Sequence, residues 1–129
     1  MCTDESGEFH IDGIPTGIYG LSARTDDGKF AVVSHFKLGE SGLSPELVMS
    51  VSPGAVLRLI RHGQVGTVLV GIIKDGVPIC QEELLAGDAS IEKQVPAGVL
   101  EIMTHPESDT SSQLRTARLA PGEYQEISL

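Results

Sequence analysis

Ile14-Pro15-Thr16-Gly17-Ile18-Tyr19-Gly20-Leu21 and Val95-Pro96-Ala97-Gly98-Val99-Leu100-Glu101-Ile102 repeat one device, a Pro-x-Gly turn followed by an alternating strand. Looser copies are Ser52-Pro53-Gly54-Ala55-Val56-Leu57 and Ala120-Pro121-Gly122-Glu123-Tyr124. Proline fixes φ and lacks an N–H, and glycine reaches positive φ at no steric cost, so the phrase turns the chain and launches a strand. Its repetition predicts an all-β protein, an antiparallel, Greek-key-like β-sandwich in tandem. Gly17 and Gly98 are expected to occupy equivalent turn positions, with an alanine at Gly17 clashing if its φ is positive.

Around these turns the pattern extends in both directions. Thr3-Asp4-Glu5-Ser6-Gly7 reads as a turn. Phe9 and Ile11 alternate with His10 and Asp12 as a short strand. Tyr19, Leu21 and Ala23 share one strand face, and Ile18, Ser22 and Arg24 the other. Asp26-Asp27-Gly28 signals a hairpin. Phe30, Val32, Ser34, Phe36 and Leu38 share a face by strict alternation. Leu47, Met49 and Val51 suggest another strand, although Ser44-Pro45-Glu46 could start a turn of helix.

From Pro53 the pattern restarts. Residues 52–129 carry about seven strand signals, enough for a complete sandwich. Val65 to Ile73 is apolar almost throughout, as in a central strand covered on both sides. Val77 to Leu85 is ambiguous between helix and strand. Leu57, Leu59, Val68, Val70, Ile72, Leu100 and Ile102 are the expected core. Residues 1–50 carry only four signals and begin in mid-pattern, which predicts a chain that starts inside a domain. Phe9, Ile11, Tyr19, Leu21, Phe30, Val32 and Phe36 are too apolar to stay solvated, so this segment should dock on the second domain or pair with another copy of the chain.

Composition narrows the function classes. A net charge of −9, spread along the chain, repels phosphate backbones and argues against nucleic acid. No apolar run is long enough for a transmembrane helix, and no signal peptide opens the chain. Cys2 and Cys80 could form one bridge at most, so both read as thiols without an assigned role. There is no asparagine, which excludes N-glycosylation and the Lys–Asn form of a self-made isopeptide bond. Lys29, Lys37, Lys74 and Lys93 could use only an aspartate for that bond. No Gly-x-Ser-x-Gly elbow is present, and His10, His35, His62 and His105 lack the spacing of a local metal pair. Asp4, Glu5, Asp12, Asp26 and Asp27 could contribute calcium ligands, but no Asp-x-Asp-x-Asp-Gly loop joins them, and turn capping explains them better. Tyr19 and Tyr124 are the only tyrosines available as sugar platforms. The reading is therefore no catalytic residue, no cofactor-binding residue and no metal ligand.

Thr3-Asp4-Glu5-Ser6-Gly7-Glu8-Phe9-His10-Ile11-Asp12-Gly13-Ile14-Pro15-Thr16-Gly17-Ile18-Tyr19-Gly20-Leu21-Ser22-Ala23 resembles the carboxypeptidase regulatory-like domain. Residues 52–129 resemble a divergent second copy through Asp75-Gly76-Val77-Pro78-Ile79, Val95-Pro96-Ala97-Gly98 and Leu119-Ala120-Pro121-Gly122-Glu123. The resemblance implies a transthyretin-like (prealbumin-like) sandwich, incomplete over 1–50 and complete over 52–129. It implies a non-catalytic structural or interaction module of a multi-domain exported or envelope protein. Its expected partner is a neighbouring domain or another protein, or itself through the N-terminal strands. A sandwich relative of transthyretin hydrolyses 5-hydroxyisourate and ends Tyr-Arg-Gly-Ser, whereas this chain ends Tyr124-Gln125-Glu126-Ile127-Ser128-Leu129, so that activity is not carried over. The alternative is a carbohydrate or small-ligand binding module of the starch-binding-like sandwich type.

Overall fold

The computed structural model describes residues 3–4, 7–11, 13–39, 47–61, 66–107 and 112–129. All regular structure among them is strand. A hairpin of β1 (Gly17–Arg24) and β2 (Lys29–Leu38) is followed by the two-residue β3 (Ser52–Pro53), and these form one sheet in the order β1-β2-β3. The seven further strands are β4 (Ala55–Ile60), β5 (Val68–Lys74), β6 (Val77–Leu84), β7 (Ser90–Val95), β8 (Gly98–Pro106), β9 (Gln113–Leu119) and β10 (Tyr124–Ser128). They build two facing sheets, β10-β4-β7 and β6-β5-β8-β9. The chain changes sheet after β4, β6, β7 and β9, the Greek-key-like path expected for a sandwich.

Local chemistry explains the strand ends. Asp75 and Gly76 both have positive φ, 52° and 78°, the pairing a two-residue primed hairpin turn needs between β5 and β6. Pro121 and Gly122 (φ 78°) take the two central positions of a type II turn, closed by Glu123 N–H donating to Ala120 O at 3.0 Å. Asp26-Asp27-Gly28 closes the first hairpin, with Thr25 and Lys29 paired across it and Gly28 at φ 84°. The segment Val77 to Leu85 resolves as strand up to Leu84: its residues pair with β5, so the ladder overrides the helical preference of Gln81-Glu82-Glu83.

The core lies between the two sheets. Leu57, Leu59, Val68, Val70, Ile72, Leu100 and Ile102, all expected there, are at most 1% exposed, and Leu84, Val95, Leu119 and Leu129 join them. Each such side chain contributes about 1.5–3 kcal/mol of transfer free energy. β4 packs one face inward and pairs on both sides, antiparallel with β7 and parallel with β10. The parallel pairing joins the first and last strands of the sandwich.

Several expectations in the N-terminal segment change. Phe9–Ile11 is not a strand; Phe9 is half-buried and Ile11 is 43% exposed. Leu47–Val51 is not a strand either, and only Ser52 and Pro53 pair with β2. Residues 44–46 lie outside the described residues. Strict alternation along β2 fails at a bulge, where Gly20 of β1 faces two residues, Ser34 and His35, and His35 adopts φ 57°. The register past the bulge pairs Phe36 with Tyr19 and Leu38 with Gly17, so Phe36 and Leu38 share a face with Ala31 and Val33, not with Phe30 and Val32.

Gly17 and Gly98 are not equivalent. Gly98 has φ 105°, whereas Gly17 opens β1 without positive φ. A Cβ at Gly17 would rest 3.5 Å from the Tyr19 ring, an ordinary contact. At Gly98 it would lie 2.5 Å from Lys74 Nζ, which donates to Ala97 O at 2.8 Å and holds the turn between the sheets. Gly17→Ala is therefore expected to change stability by less than about 0.5 kcal/mol, and Gly98→Ala to cost about 1.5 kcal/mol. Urea denaturation midpoints of the two variants check this; equal midpoints would contradict it.

Candidate interaction surface

The hairpin carries a half-covered apolar face. Tyr19, Leu21 and Ala23 pair with Phe36, Val33 and Ala31, and pairs directly opposite share a face. Of these six, only Ala31 is buried; the other five are half-covered. Tyr19 is tied down at its tip, its hydroxyl donating to Pro15 O at 2.5 Å. The opposite face touches the sandwich only locally, with Ile18, Ser22 and Arg24 on it exposed. A Cβ at Gly20 would meet Val77 Cγ2 at 2.7 Å, and Phe30, 7% exposed, closes on Gly54. The hairpin thus touches the sandwich at these points, and neither of its faces is fully covered. Its charge also differs from the rest. Residues 17–38 hold three of the nine basic residues and two of the eighteen acidic ones.

A second apolar patch lies on the outside of the four-stranded sheet. β5 buries Val68, Val70 and Ile72 inward, but Leu69, Gly71 and Ile73 on its other face are only half-covered, so the strand is not enclosed on both sides as expected. Gly71 lies opposite Met103, and Met103 opposite Leu114; the last two are 42% and 59% exposed. Nothing lies within 4 Å of where a Gly71 Cβ would stand. Gln81 and Glu83 on β6 rim a shallow depression beside Leu69 and Leu85.

The outside of the three-stranded sheet is polar. Register places Tyr124, Val56 and Gln94 in one row and Glu126, Arg58 and Glu92 in the next. Arg58 Nε donates to Ser90 Oγ at 3.2 Å, and its Nη1 lies 3.4 Å from Glu126 Oε1. The neighbouring Tyr124 side chain, ahead of Glu126 and Glu92, raises the guanidinium pKa further. Tyr124 itself is half exposed.

The residues considered for chemistry fall apart in space. His10 and His35 are exposed; His105 is half-buried and shares a 3.0 Å hydrogen bond between Nδ1 and Ser112 Oγ. His62, Cys2, Glu5 and Asp12 lie outside the described residues. Asp4 works as a turn residue, its carboxylate accepting from Glu8 N–H at 2.9 Å. Lys93 pairs with Glu82 at 2.6 Å across the two sheets, Lys29 with Asp27 at 3.7 Å, and Lys74 is engaged by Ala97 O. Burial pushes the Cys80 thiol pKa up, against the pull of Lys93 and Arg24. Among the described residues, no group of three or more His, Cys, Asp or Glu side chains could hold a metal ion. No helix there is long and apolar enough to cross a membrane.

One pKa shift is testable. The Thr25 hydroxyl bonds the Asp27 carboxylate and, with Lys29 nearby, holds its pKa below the ordinary aspartate value. A lowered folded-state pKa means that the turn's contribution is present above the unfolded pKa and is lost as pH falls through the folded one. The Asp27 carboxyl, followed by NMR, is expected to titrate below an ordinary aspartate, and Thr25→Val to move its midpoint back up. An unmoved midpoint would show that the hydroxyl is not the cause.

The least predictable residue is Arg61. Its guanidinium donates to four main-chain carbonyls, those of Gly66, Leu84, Leu85 and Asp88, at 2.8–3.4 Å. It binds one pole of the sandwich together, and nothing in its local sequence announces this role. Compared with protein-family models, curated proteins and solved structures, the chain finds no match in any of the three.

Proposed function

We propose that this chain is a non-catalytic structural or interaction module of a multi-domain exported or envelope protein, built as a carboxypeptidase regulatory-like tandem. Its N-terminal hairpin meets a neighbouring domain or protein. The carrying observation is the half-covered face of Tyr19, Leu21, Val33, Phe36 and Leu38, a sheet face without a full opposing layer. Such a face is stabilised by whatever covers it. The family reading is supported by the turn at Asp4 and by the seven-strand sandwich after the hairpin.

Binding of a hydrophobic fluorescent dye tests the face. The chain is expected to enhance dye fluorescence, and Phe36→Ser to reduce it while circular dichroism keeps its strand signal. A chain that leaves the dye dark would overturn the reading.

Tyr124 favours the second reading, a sugar or small-ligand site. The ring is half exposed beside Arg58, Glu126 and Gln94, an aromatic plane next to hydrogen-bonding groups. Titration with maltotriose, followed by the Tyr124 ring resonances, tests it. Saturable shifts abolished by Tyr124→Ala support it, and unmoved resonances at millimolar sugar reject it.

A further inference from the structure

Each sheet in this fold has two outer strands, and five of those six carry protection against pairing. β3 is two residues long and contains Pro53. β6 contains Pro78, Glu82 and Glu83; β7 contains Glu92 and Lys93. β9 contains Arg115 and Arg118, and β10 contains Glu126. Arg115 Nη1 also donates to Ser128 O at 2.7 Å, engaging a carbonyl at the end of β10. Charge, proline and shortness are the usual means by which sheet edges avoid other strands. β1 has the least: no proline, full length, and one charge confined to its end. It runs eight residues, Gly-Ile-Tyr-Gly-Leu-Ser-Ala-Arg, with its single charge at the last position. The additional bulge residue lies on β2, so β1 itself has no insertion. Its Ile18 is 66% exposed.

We infer that β1 pairs antiparallel with β1 of a second copy about a two-fold axis at Leu21. This rests on the interaction-module reading and names the partner as the chain itself. The register follows from the side chains. An axis at Leu21 sets Leu21 against its own copy, Tyr19 against Ala23, Gly20 against Ser22, and Ile18 against Arg24. Tyr19 then faces the small Ala23, Leu21 meets its own copy, and the Ile18 side chain lies along the Arg24 stem. The two apolar faces fall on the same side of a continuous β2-β1-β1-β2 sheet, as an isologous interface requires. The hairpin also escapes the general negative charge of the chain. The whole chain carries −9, so most surfaces of two copies repel, whereas residues 17–38 contain three basic residues against two acidic ones.

Sedimentation velocity over a micromolar-to-millimolar series tests the pairing, with urea melts to confirm that each variant folds. A reversible dimer is expected. Ile18→Lys sets two like-charge pairs against Arg24 of the second copy and is expected to weaken the dimer about tenfold. Ile18→Lys combined with Arg24→Glu should restore it. Within one chain these two positions are about 20 Å apart along the strand, so local rescue is not available. Concentration-dependent hydrogen-exchange protection of β1 amides is the second expected signature. A monomer at every concentration overturns the pairing, as does a dimer indifferent to Ile18→Lys. If either occurs while the hairpin face still binds dye, the interaction-module reading stands without self-pairing. If the face binds no dye, that reading fails too.

Discussion

Gly54→Ala is expected to cost about 3 kcal/mol of folding stability, the upper end of what overpacking usually exacts. The added methyl would stand 2.5 Å from Val95 O, 2.8 Å from Gly28 O and 2.7 Å from Phe30 Cδ2. Two of these three neighbours are main-chain atoms, which cannot swing aside as a side chain can. The same residue is a hydrogen-bond junction, its N–H donating to Gly28 O at 3.0 Å and its carbonyl accepting from Gly122 N–H at 2.8 Å. A shift at Gly54 therefore disturbs the hairpin, β7 and the β9–β10 turn together. Gly71→Ala is the matched control, since its methyl would enter open space. The control is expected to stay within about 0.5 kcal/mol of the parent, because a half-covered strand site with open space gains from a side chain. Urea midpoints measure both, and a Gly54→Ala midpoint near the parent's would show that the junction yields.

Arg61→Met should be the next most damaging change, at about 2 kcal/mol. A hydrogen bond from a charged donor contributes about 1.5–3 kcal/mol where water is excluded. Arg61 makes four to described residues, but the carbonyls of Leu85 and Asp88 lie near the surface and water can replace some of the loss. Methionine keeps much of the stem's packing and removes the donors, so it isolates the guanidinium. Arg61→Lys is expected to recover less than half, since an ammonium cannot span carbonyls on two separate segments, Gly66 and the turn from Leu84 to Asp88, as a planar fork does. Faster amide exchange at Asp88, whose N–H donates to Leu85 O at 3.0 Å, should accompany the loss.

The sandwich was legible because its turns are chemical punctuation. Asp75-Gly76 and Pro121-Gly122 each admit few backbone conformations, and apolar alternation between such points leaves little choice of face. That is why the expected core residues are the buried ones. The hairpin was legible as two strands but not as a surface. A bulge adds one residue to a ladder without a compositional signature, and His35 is not a residue that advertises positive φ as glycine does. Counting by twos along β2 therefore assigned Phe36 and Leu38 to the wrong face. Gly17 misled for a related reason: the phrase around it matches that of Gly98, yet its backbone is already that of the strand it opens. The Arg61 clamp, the Glu126-Arg58-Glu92 row and the partner of β10 depend on residues far apart in sequence, and no local pattern encodes such meetings.

The parallel contact between β4 and β10 has a mechanical consequence. Tyr124 to Ser128 lie beside Val56 to Ile60 in step, and Leu129 N–H adds a 2.8 Å bond to Ile60 O. Tension applied at residue 54 and at residue 129 would pull these two strands in opposite directions along their length. The whole row of ladder bonds then bears load at once, where a hairpin pulled from its open end would lose its bonds in succession. Resistance of this kind is governed by the rate of crossing the unfolding barrier and not by equilibrium stability. The sandwich is thus arranged to carry tensile load between its first and last strands, and single-molecule stretching between those two points should require higher force than stretching across the β5–β6 hairpin.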